Sequence, residues 1–191
     1  MLSAIIATDE SEQALVRTLA ALVPGVTAGL LGDVVVADAG SSDATAEVAE
    51  VAGCRFIASR DPLGARLKAA AATTRAPWLM FLRAGSVPET GWESAAERFI
   101  EASGGLAQAR AAVFRPLGVA DLLRPGLAEL VTLLRVALGG GAKPEHGLLI
   151  ARTHYEHLGG HPESGDAEAA ILRRIGRRRI SMLAAGARID T

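Results

Sequence analysis

The feature that most limits the fold of this chain is a regular alternation of short apolar runs with helix-like segments over residues 2–82. The apolar runs predict strands at Leu2–Thr8, around Val34–Val36, at Arg55–Ala58 and at Trp78–Leu82. Strands that alternate with helices predict a parallel sheet with right-handed crossovers. The sequence therefore predicts an α/β fold whose central sheet is mostly parallel and flanked by helices.

Local signals also predict where the first helices begin and end. They are a capping-box spacing at Asp9-x-x-Glu12, a stop at Pro24-Gly25, caps at Ser41 or Ser42, a C-cap at Gly53, and an alanine-rich helix from Ala65 to Thr74. Beyond Pro88 we expect helices at 92–102, 117–138, 153–158 and 166–175, and strands within 106–114, 147–151 and 180–183. Because no repeat or linker is visible, residues 1–191 are predicted to form a single domain.

Composition excludes several classes of protein. Half of the 191 residues are hydrophobic (50%) and 21% are charged, which indicates a globular chain with a sizeable core. A net charge of −1 argues against a nucleic-acid partner. Cys54 is the single cysteine and cannot form an internal disulfide, which fits a reducing compartment. The first residues lack a basic segment and soon reach Asp9 and Glu10, so we expect no signal peptide and a cytoplasmic location.

Polar side chains follow two of the predicted strands. Thr8 ends the first strand, and Asp38 follows the valine run just before Gly40 and the two serines. The carboxyl ends of parallel strands form the usual ligand-facing edge of an α/β sheet. Thr8 and Asp38 are therefore candidate ligand-binding residues. The alternative is structural: Thr8 would be a turn hydroxyl, and Asp38 a solvated carboxylate at a capped strand–helix turn.

Several segments, in their order along the chain, resemble family 2 glycosyltransferases of the GT-A fold. The matching segments are Ile5–Thr8 with the helix through Leu19, Val35–Thr45 (similar to Asp-Gly-Ser-x-Asp-Gly-Thr), Gly64–Ala70 (similar to Gly-x-x-x-Asn-x-Gly), Leu79–Leu82, and Gly147–Glu168 (ending similarly to Glu-Asp-x-Glu). The resemblance extends over nearly the whole chain. It implies a single-domain nucleotide-diphospho-sugar transferase fold.

The resemblance also implies an activity: transfer of a sugar, with inversion, from a nucleotide-sugar donor such as a uridine diphosphate sugar to an acceptor that the sequence does not identify. On this basis Thr8, Asp38, Lys68 and Arg83 are predicted to bind the nucleotide, and Asp166 is predicted to be the general base. Asp166 also precedes a predicted helix, so an ordinary N-cap is the alternative.

The polar positions depart from the family pattern. The chain reads Arg83-Ala84-Gly85 where the family has its metal-binding Asp-x-Asp, and Lys68 stands in place of the Asn. The family implies Mg²⁺ or Mn²⁺, but an arginine provides no oxygen ligand and repels a cation, so we predict no metal ligand here. A guanidinium can instead bind phosphate oxygens in a two-point contact. The alternative for both Arg83 and Lys68 is a surface side chain at a degenerate site.

Two functions from different classes therefore remain open: a glycosyltransferase, and a non-catalytic protein that keeps the fold to bind a nucleotide or a partner. Nucleotidyl transfer is a weaker third possibility, because the chain lacks a glycine-rich basic loop after its first strand.

Two further groups of polar residues are more simply explained without a functional site. The spacing of the four histidines, His146, His154, His157 and His161, is not that of a helical zinc-ligand pair. The basic run of Arg173, Arg174 and Arg177–Arg179 is typical of a solvated helix end, and contact with acidic membrane lipid or a diphosphate is its functional alternative.

Overall fold

The computed structural model describes residues 1–104, 110–116, 147–163 and 165–189. Strands in this part of the chain are β1 (Leu2–Thr8), β2 (Leu31–Asp38), β3 (Arg55–Ala58), β4 (Trp78–Arg83), β5 (Ser86–Pro88), β6 (Ala111–Pro116), β7 (Leu148–Ala151) and β8 (Ile180–Ile189). Helices are α1 (Glu12–Thr27), α2 (Thr45–Val51), α3 (Leu63–Thr73), α4 (Trp92–Ser103), α5 (Arg152–His157) and α6 (Ala167–Ile175), and Arg177–Arg179 form a 3₁₀ turn.

All eight strands belong to one sheet, in the order β3-β2-β1-β4-β7-β6-β8-β5. The first four in this order are mutually parallel, and β6 is parallel to β8. Strand β7 is antiparallel to both of its neighbours, and β5 is antiparallel to β8. The predicted α/β fold with a mostly parallel sheet and flanking helices is confirmed.

A hydrophobic core lies on each face of the sheet. All seven residues of β1 are buried, and alternate side chains enter opposite cores: Ala4 and Ile6 face one, Ile5 and Ala7 the other. Helices α1 and α4 cover the first core, and α3 and α6 cover the second. A strand buried on both faces is expected to be apolar throughout, which is the pattern seen at the centre of this sheet.

Helix α1 differs from its prediction at both ends. It continues through Pro24 to Thr27, where Gly25 lets the helix approach α4 closely. A Cβ atom on Gly25 would lie 2.4 Å from the ring of Trp92, whose Nε1 donates to the carbonyl of Ala21 at 2.9 Å. At the start of α1 the expected capping box does not form, because the N-cap is Ser11 and its side chain makes no cap hydrogen bond.

Other helix and strand boundaries also differ from those predicted. Ser41 and Ser42 do not cap α2, whose N-cap position is Ala44. Gly64 lies inside the first turn of α3, so the helix begins at Leu63. Strand β8 is longer than predicted and pairs with β5, which the sequence did not indicate. The predicted helix over 117–138, the Gly139–Gly141 segment and the first four residues of the strand predicted within 106–114 lie outside the described residues, and β6 begins at Ala111. That residues 1–191 form one domain stays a prediction.

Within the described ranges, the helices are all too short or too polar to cross a membrane.

Candidate functional site

Thr8 and Asp38 meet at the carboxyl edge of the sheet, where their strands end side by side. Asp38 Oδ1 accepts hydrogen bonds from Thr8 Oγ1 (2.8 Å) and Ser41 Oγ (2.6 Å), and Oδ2 accepts from the N–H groups of Gly40 and Ser41 (both 2.7 Å). Asp38 is 0% exposed. Its carboxylate therefore fixes the turn between β2 and α2 by accepting hydrogen bonds from the backbone of that turn. Gly40 has the positive φ of 90° that the turn requires.

These hydrogen bonds also set the charge of Asp38. Burial raises the pKa of the carboxyl, but the opposing hydrogen bonds from Ser41, Thr8 and Gly40 are together stronger and leave the pKa below its ordinary value. Asp38 is thus an anion at neutral pH although it has no contact with water.

The loops after β1 and β2 are joined by hydrogen bonds in both directions, in which a carboxylate of each loop accepts from backbone N–H groups of the other. Glu10 accepts from Ser42 N (2.9 Å) and Asp43 N (3.1 Å), in the turn before α2, and Asp43 Oδ2 accepts from Glu12 N (3.0 Å), at the start of α1. Each carboxylate thus satisfies N–H groups that the other segment leaves unpaired. Glu10 has a φ of +46°, a region that residues other than glycine rarely adopt.

Arg66 is a site residue that the sequence analysis missed. Its Nη1 donates to the carbonyl oxygens of Thr8 (3.2 Å) and Ala37 (2.8 Å), so it joins the ends of β1 and β2 from the side of α3. Arg60 lies nearby over the turn, since a Cβ atom on Gly40 would be 3.5 Å from its Cγ. A cation in the first turn of a helix opposes the helix dipole, and this was the signal that could have identified Arg66.

Lys68 lies on the exposed side of α3, whereas Gly64, Leu67 and Ala70 on the opposite side are buried. None of the hydrogen bonds that join the other described site residues involves Lys68. The structure therefore does not place Lys68 in the same group as Thr8 and Asp38.

Arg83 lies at the carboxyl end of β4, level with Ala7 of β1. Its Nε donates to Glu168 Oε2 at 2.8 Å, and its Nη2 makes a second, short contact with the same oxygen. The Arg83 side chain is 51% exposed, whereas that of Glu168 is 11% exposed. The pair thus joins a nearly buried carboxylate to an arginine side chain that is partly exposed at the carboxyl end of β4.

Asp166 is the N-cap of α6, and its Oδ1 accepts a hydrogen bond from Ala169 N at 3.0 Å. It is exposed and lies two residues before Glu168, the residue that binds Arg83. The structure shows the capping role, and the role of general base stays a prediction.

The turn between α5 and α6 is fixed against α3. A Cβ atom on Gly64 would lie 1.8 Å from the carbonyl oxygen of Pro162. Tyr155 Oη lies 2.9 Å from His161 Nδ1 and accepts from His161 N at 3.1 Å. Burial lowers the pKa of His161 to about 4 and raises that of Tyr155 to about 12. This pair is neutral at physiological pH and supports the turn that leads to Asp166.

The residues present do not fit a divalent metal. Arg83 stands where a carboxylate ligand is needed, and the nearest carboxylate, that of Glu168, is already bound to its guanidinium. Elsewhere in the described ranges, three or more His, Cys, Asp or Glu side chains do not gather in any group that could hold an ion. His146 of the histidine set lies outside these ranges.

No protein-family model matches the chain, and no curated protein matches it at a significant level. Its fold resembles glucosyl-3-phosphoglycerate synthase from Mycobacterium tuberculosis. The complex with Mn²⁺, uridine diphosphate (UDP) and glucosyl-3-phosphoglycerate is 20% identical, with a TM-score of 0.69, over 100% of this chain and 72% of that one. The complex with Mn²⁺ and UDP-glucose is 19% identical, with a TM-score of 0.67, over 100% and 71%. The chain thus has a GT-A-like glycosyltransferase fold, and membership of family 2 stays a prediction.

Proposed function

We propose that this protein binds a nucleotide-sugar donor at the carboxyl edge of its sheet and transfers the sugar to an acceptor. The observation that carries the proposal is the position of Arg83: its guanidinium is fixed at the end of β4, beside the strand ends that carry Thr8 and Asp38. Ligands of open α/β sheets bind at this edge. The similar synthase is known in complexes with UDP and UDP-glucose, which makes a uridine diphosphate sugar the first donor to test.

In this proposal the nucleoside lies against the turn that Asp38 shapes. Because the Asp38 carboxylate is buried and accepts four hydrogen bonds from Thr8, Gly40 and Ser41, it acts on the nucleoside mainly by fixing that turn. Arg60, an exposed cation beside Gly40, and Arg66 add positive charge next to the same turn.

The proposed chemical step assigns a role to Asp166 and to Arg83. Asp166 removes the proton from the acceptor hydroxyl, the acceptor oxygen forms a bond to the anomeric carbon, and the bond from that carbon to the diphosphate oxygen breaks. The diphosphate leaves with the electron pair, and the guanidinium of Arg83 stabilises its negative charge. Attack from the face opposite the leaving group inverts the anomeric carbon. No step requires a metal ligand at Arg83.

The test is direct: titrate UDP-glucose into the protein and follow release of UDP over time. Binding together with slow UDP release, abolished by Asp166→Asn, is the expected result. Glu163→Gln is the matched control, because Glu163 is another exposed carboxylate three residues before Asp166. An absence of both UDP-glucose and UDP binding at millimolar concentration would contradict the proposal.

A second candidate is a non-catalytic protein that binds a nucleotide or a partner. It is favoured by one observation: Asp166 already caps α6, which is a sufficient structural reason for its presence. Binding of UDP without any release of UDP from UDP-glucose would support this candidate.

The cytoplasmic location and the contact with acidic lipid also stay predictions. Arg177, Arg178 and Arg179 are exposed, as lipid contact requires. Arg174 instead donates to the carbonyls of Leu158 (3.2 Å) and Gly160 (3.1 Å) and so has a structural role.

A further inference from the structure

We propose that Glu168 is a positioning residue: it holds the guanidinium of Arg83 at the angle at which that side chain meets the diphosphate of the donor. The inference rests on the proposed function. It goes further because it assigns a role to a buried carboxylate that lies outside the predicted site residues and explains how an arginine at this position can act without a metal.

The first argument is that Glu168 has little other reason to be charged where it is. Glu168 is 8% exposed and lines a small cavity with Phe81, Ile171 and Leu172, which are apolar. A carboxylate in such surroundings is costly unless a cation is paired with it. His161 lines the same cavity, but it is held neutral by burial, so the guanidinium of Arg83 supplies the charge.

The second argument concerns the geometry of the pair. Nε and Nη2 of Arg83 both bind Oε2 of Glu168, so one edge of the planar guanidinium is fixed. An unconstrained arginine side chain loses rotamer freedom when it is ordered by a ligand, and here the fold has already ordered it. The Glu168 side chain is 11% exposed and that of Arg83 is 51% exposed, so the anion of the pair is buried while the arginine side chain reaches solvent at the end of β4. Such preorganisation favours binding of an anion.

The third argument is that the pair joins two elements that carry different parts of the site. Arg83 ends β4, and Glu168 lies in the first turn of α6, whose N-cap is Asp166. A carboxylate in that turn also complements the helix dipole, which offsets a small part of the cost of its burial. The position of the guanidinium is consequently tied to the position of the proposed base.

The experiment is a double-mutant cycle on the intact chain with Arg83→Ala, Glu168→Gln and the combined variant. UDP and uridine are titrated into each protein by calorimetry in EDTA. We expect Glu168→Gln to weaken UDP binding roughly tenfold, as for loss of one charge-assisted contact, while uridine binding is unchanged. In the Arg83→Ala background the same change should have little further effect, because Glu168 acts through Arg83. Glu163→Gln is the matched control, since it removes an exposed carboxylate from the preceding turn.

A merely structural role gives a different result. It predicts that Glu168→Gln lowers the melting temperature and weakens UDP and uridine binding equally, or that its effect adds to that of Arg83→Ala; either outcome overturns the inference. If Glu168→Gln does not fold, Glu168→Asp keeps the charge but shortens its reach, and the same selective loss of UDP binding is expected. If the native protein binds UDP but the Glu168 variants show no selective loss of UDP binding over uridine binding, this inference is refuted and the proposed function is not. Failure of the native protein to bind UDP refutes the proposed function as well.

Discussion

At the scale of single residues, the polar groups of this site are largely occupied by one another. Asp38 is the clearest case, since every hydrogen bond to its carboxylate comes from Thr8 or from the turn that follows it. The sequence identified both residues, because a polar side chain after an apolar strand is a local signal. It could not reveal that the carboxylate is buried, because that depends on how the turn folds back over it.

The lowered pKa of Asp38 makes a prediction about stability and pH. Because the folded-state pKa lies below the ordinary value, Asp38 contributes stability above its unfolded pKa of about 3.9 and loses it as the pH falls through the folded-state value. Asp38→Asn should lower the free energy of unfolding by about 1–3 kcal/mol at pH 7, because an amide cannot accept all of these hydrogen bonds. Urea titrations at pH 7 and near pH 3 measure the free energy of unfolding of the native protein and of Asp38→Asn. The difference between these two free energies should be smaller at the lower pH. An equal difference at both values would show that the charge of Asp38 is not what holds the turn.

At the scale of helices and strands, the predictions were good where the signal is local and poor where a partner is distant in sequence. Strands β1 and β3 have the predicted ends, because an apolar or β-branched run defines them by itself. The predicted capping of α1 was wrong because its cap comes from Asp43, thirty-one positions away from Glu12. Strand β5 is too short to have a pattern of its own and exists because β8 pairs with it.

Gly64 allows a prediction at this scale. Alanine normally stabilises a helix relative to glycine by about 1 kcal/mol. In α3, however, a Cβ atom at position 64 would lie 1.8 Å from the Pro162 carbonyl and 2.9 Å from the Cβ of Ala167, so α3 and the start of α6 would have to move apart. We expect Gly64→Ala to lower the free energy of unfolding by about 1–3 kcal/mol instead. Urea denaturation measures this change.

Ala69→Gly is the matched control, because Ala69 is exposed on the same helix. It should cost about 1 kcal/mol, from helix propensity alone. If Gly64→Ala stabilised the protein, the close packing of α3 against the Pro162 turn would be wrong.

At the scale of the whole molecule, the fold was predictable and the state of the site was not. The alternation of strands and helices predicts the α/β sheet, and the resemblance of several segments to family 2 glycosyltransferases implies the GT-A-like architecture that the similar synthase shares. The chemistry depends instead on which side chains meet after folding. Arg83 and Glu168 are 85 positions apart, and nothing local to either residue indicates the pair.

The pairing of Arg83 leads to a prediction about metal dependence. A divalent ion at the end of β4 would need carboxylate ligands, but the position holds a guanidinium, and the nearest carboxylate is bound to it. Coulomb repulsion in a partly desolvated cleft opposes a second cation there. We therefore expect calorimetric titrations of UDP in EDTA and in excess Mn²⁺ to give affinities within about threefold of each other, a difference of less than 1 kcal/mol.

Arg83→Ala should then weaken UDP binding by roughly tenfold or more and leave uridine binding nearly unchanged, because the diphosphate alone loses a charged contact. Arg75→Ala is the control: it removes another exposed cation, but one beside Met1 and Leu2 at the start of β1, and it should change neither affinity by more than about twofold, as expected for an exposed charge. A large enhancement by Mn²⁺ in the native protein would show that other carboxylates assemble a metal site when the nucleotide binds. In that case Arg83 could not be the main source of phosphate neutralisation.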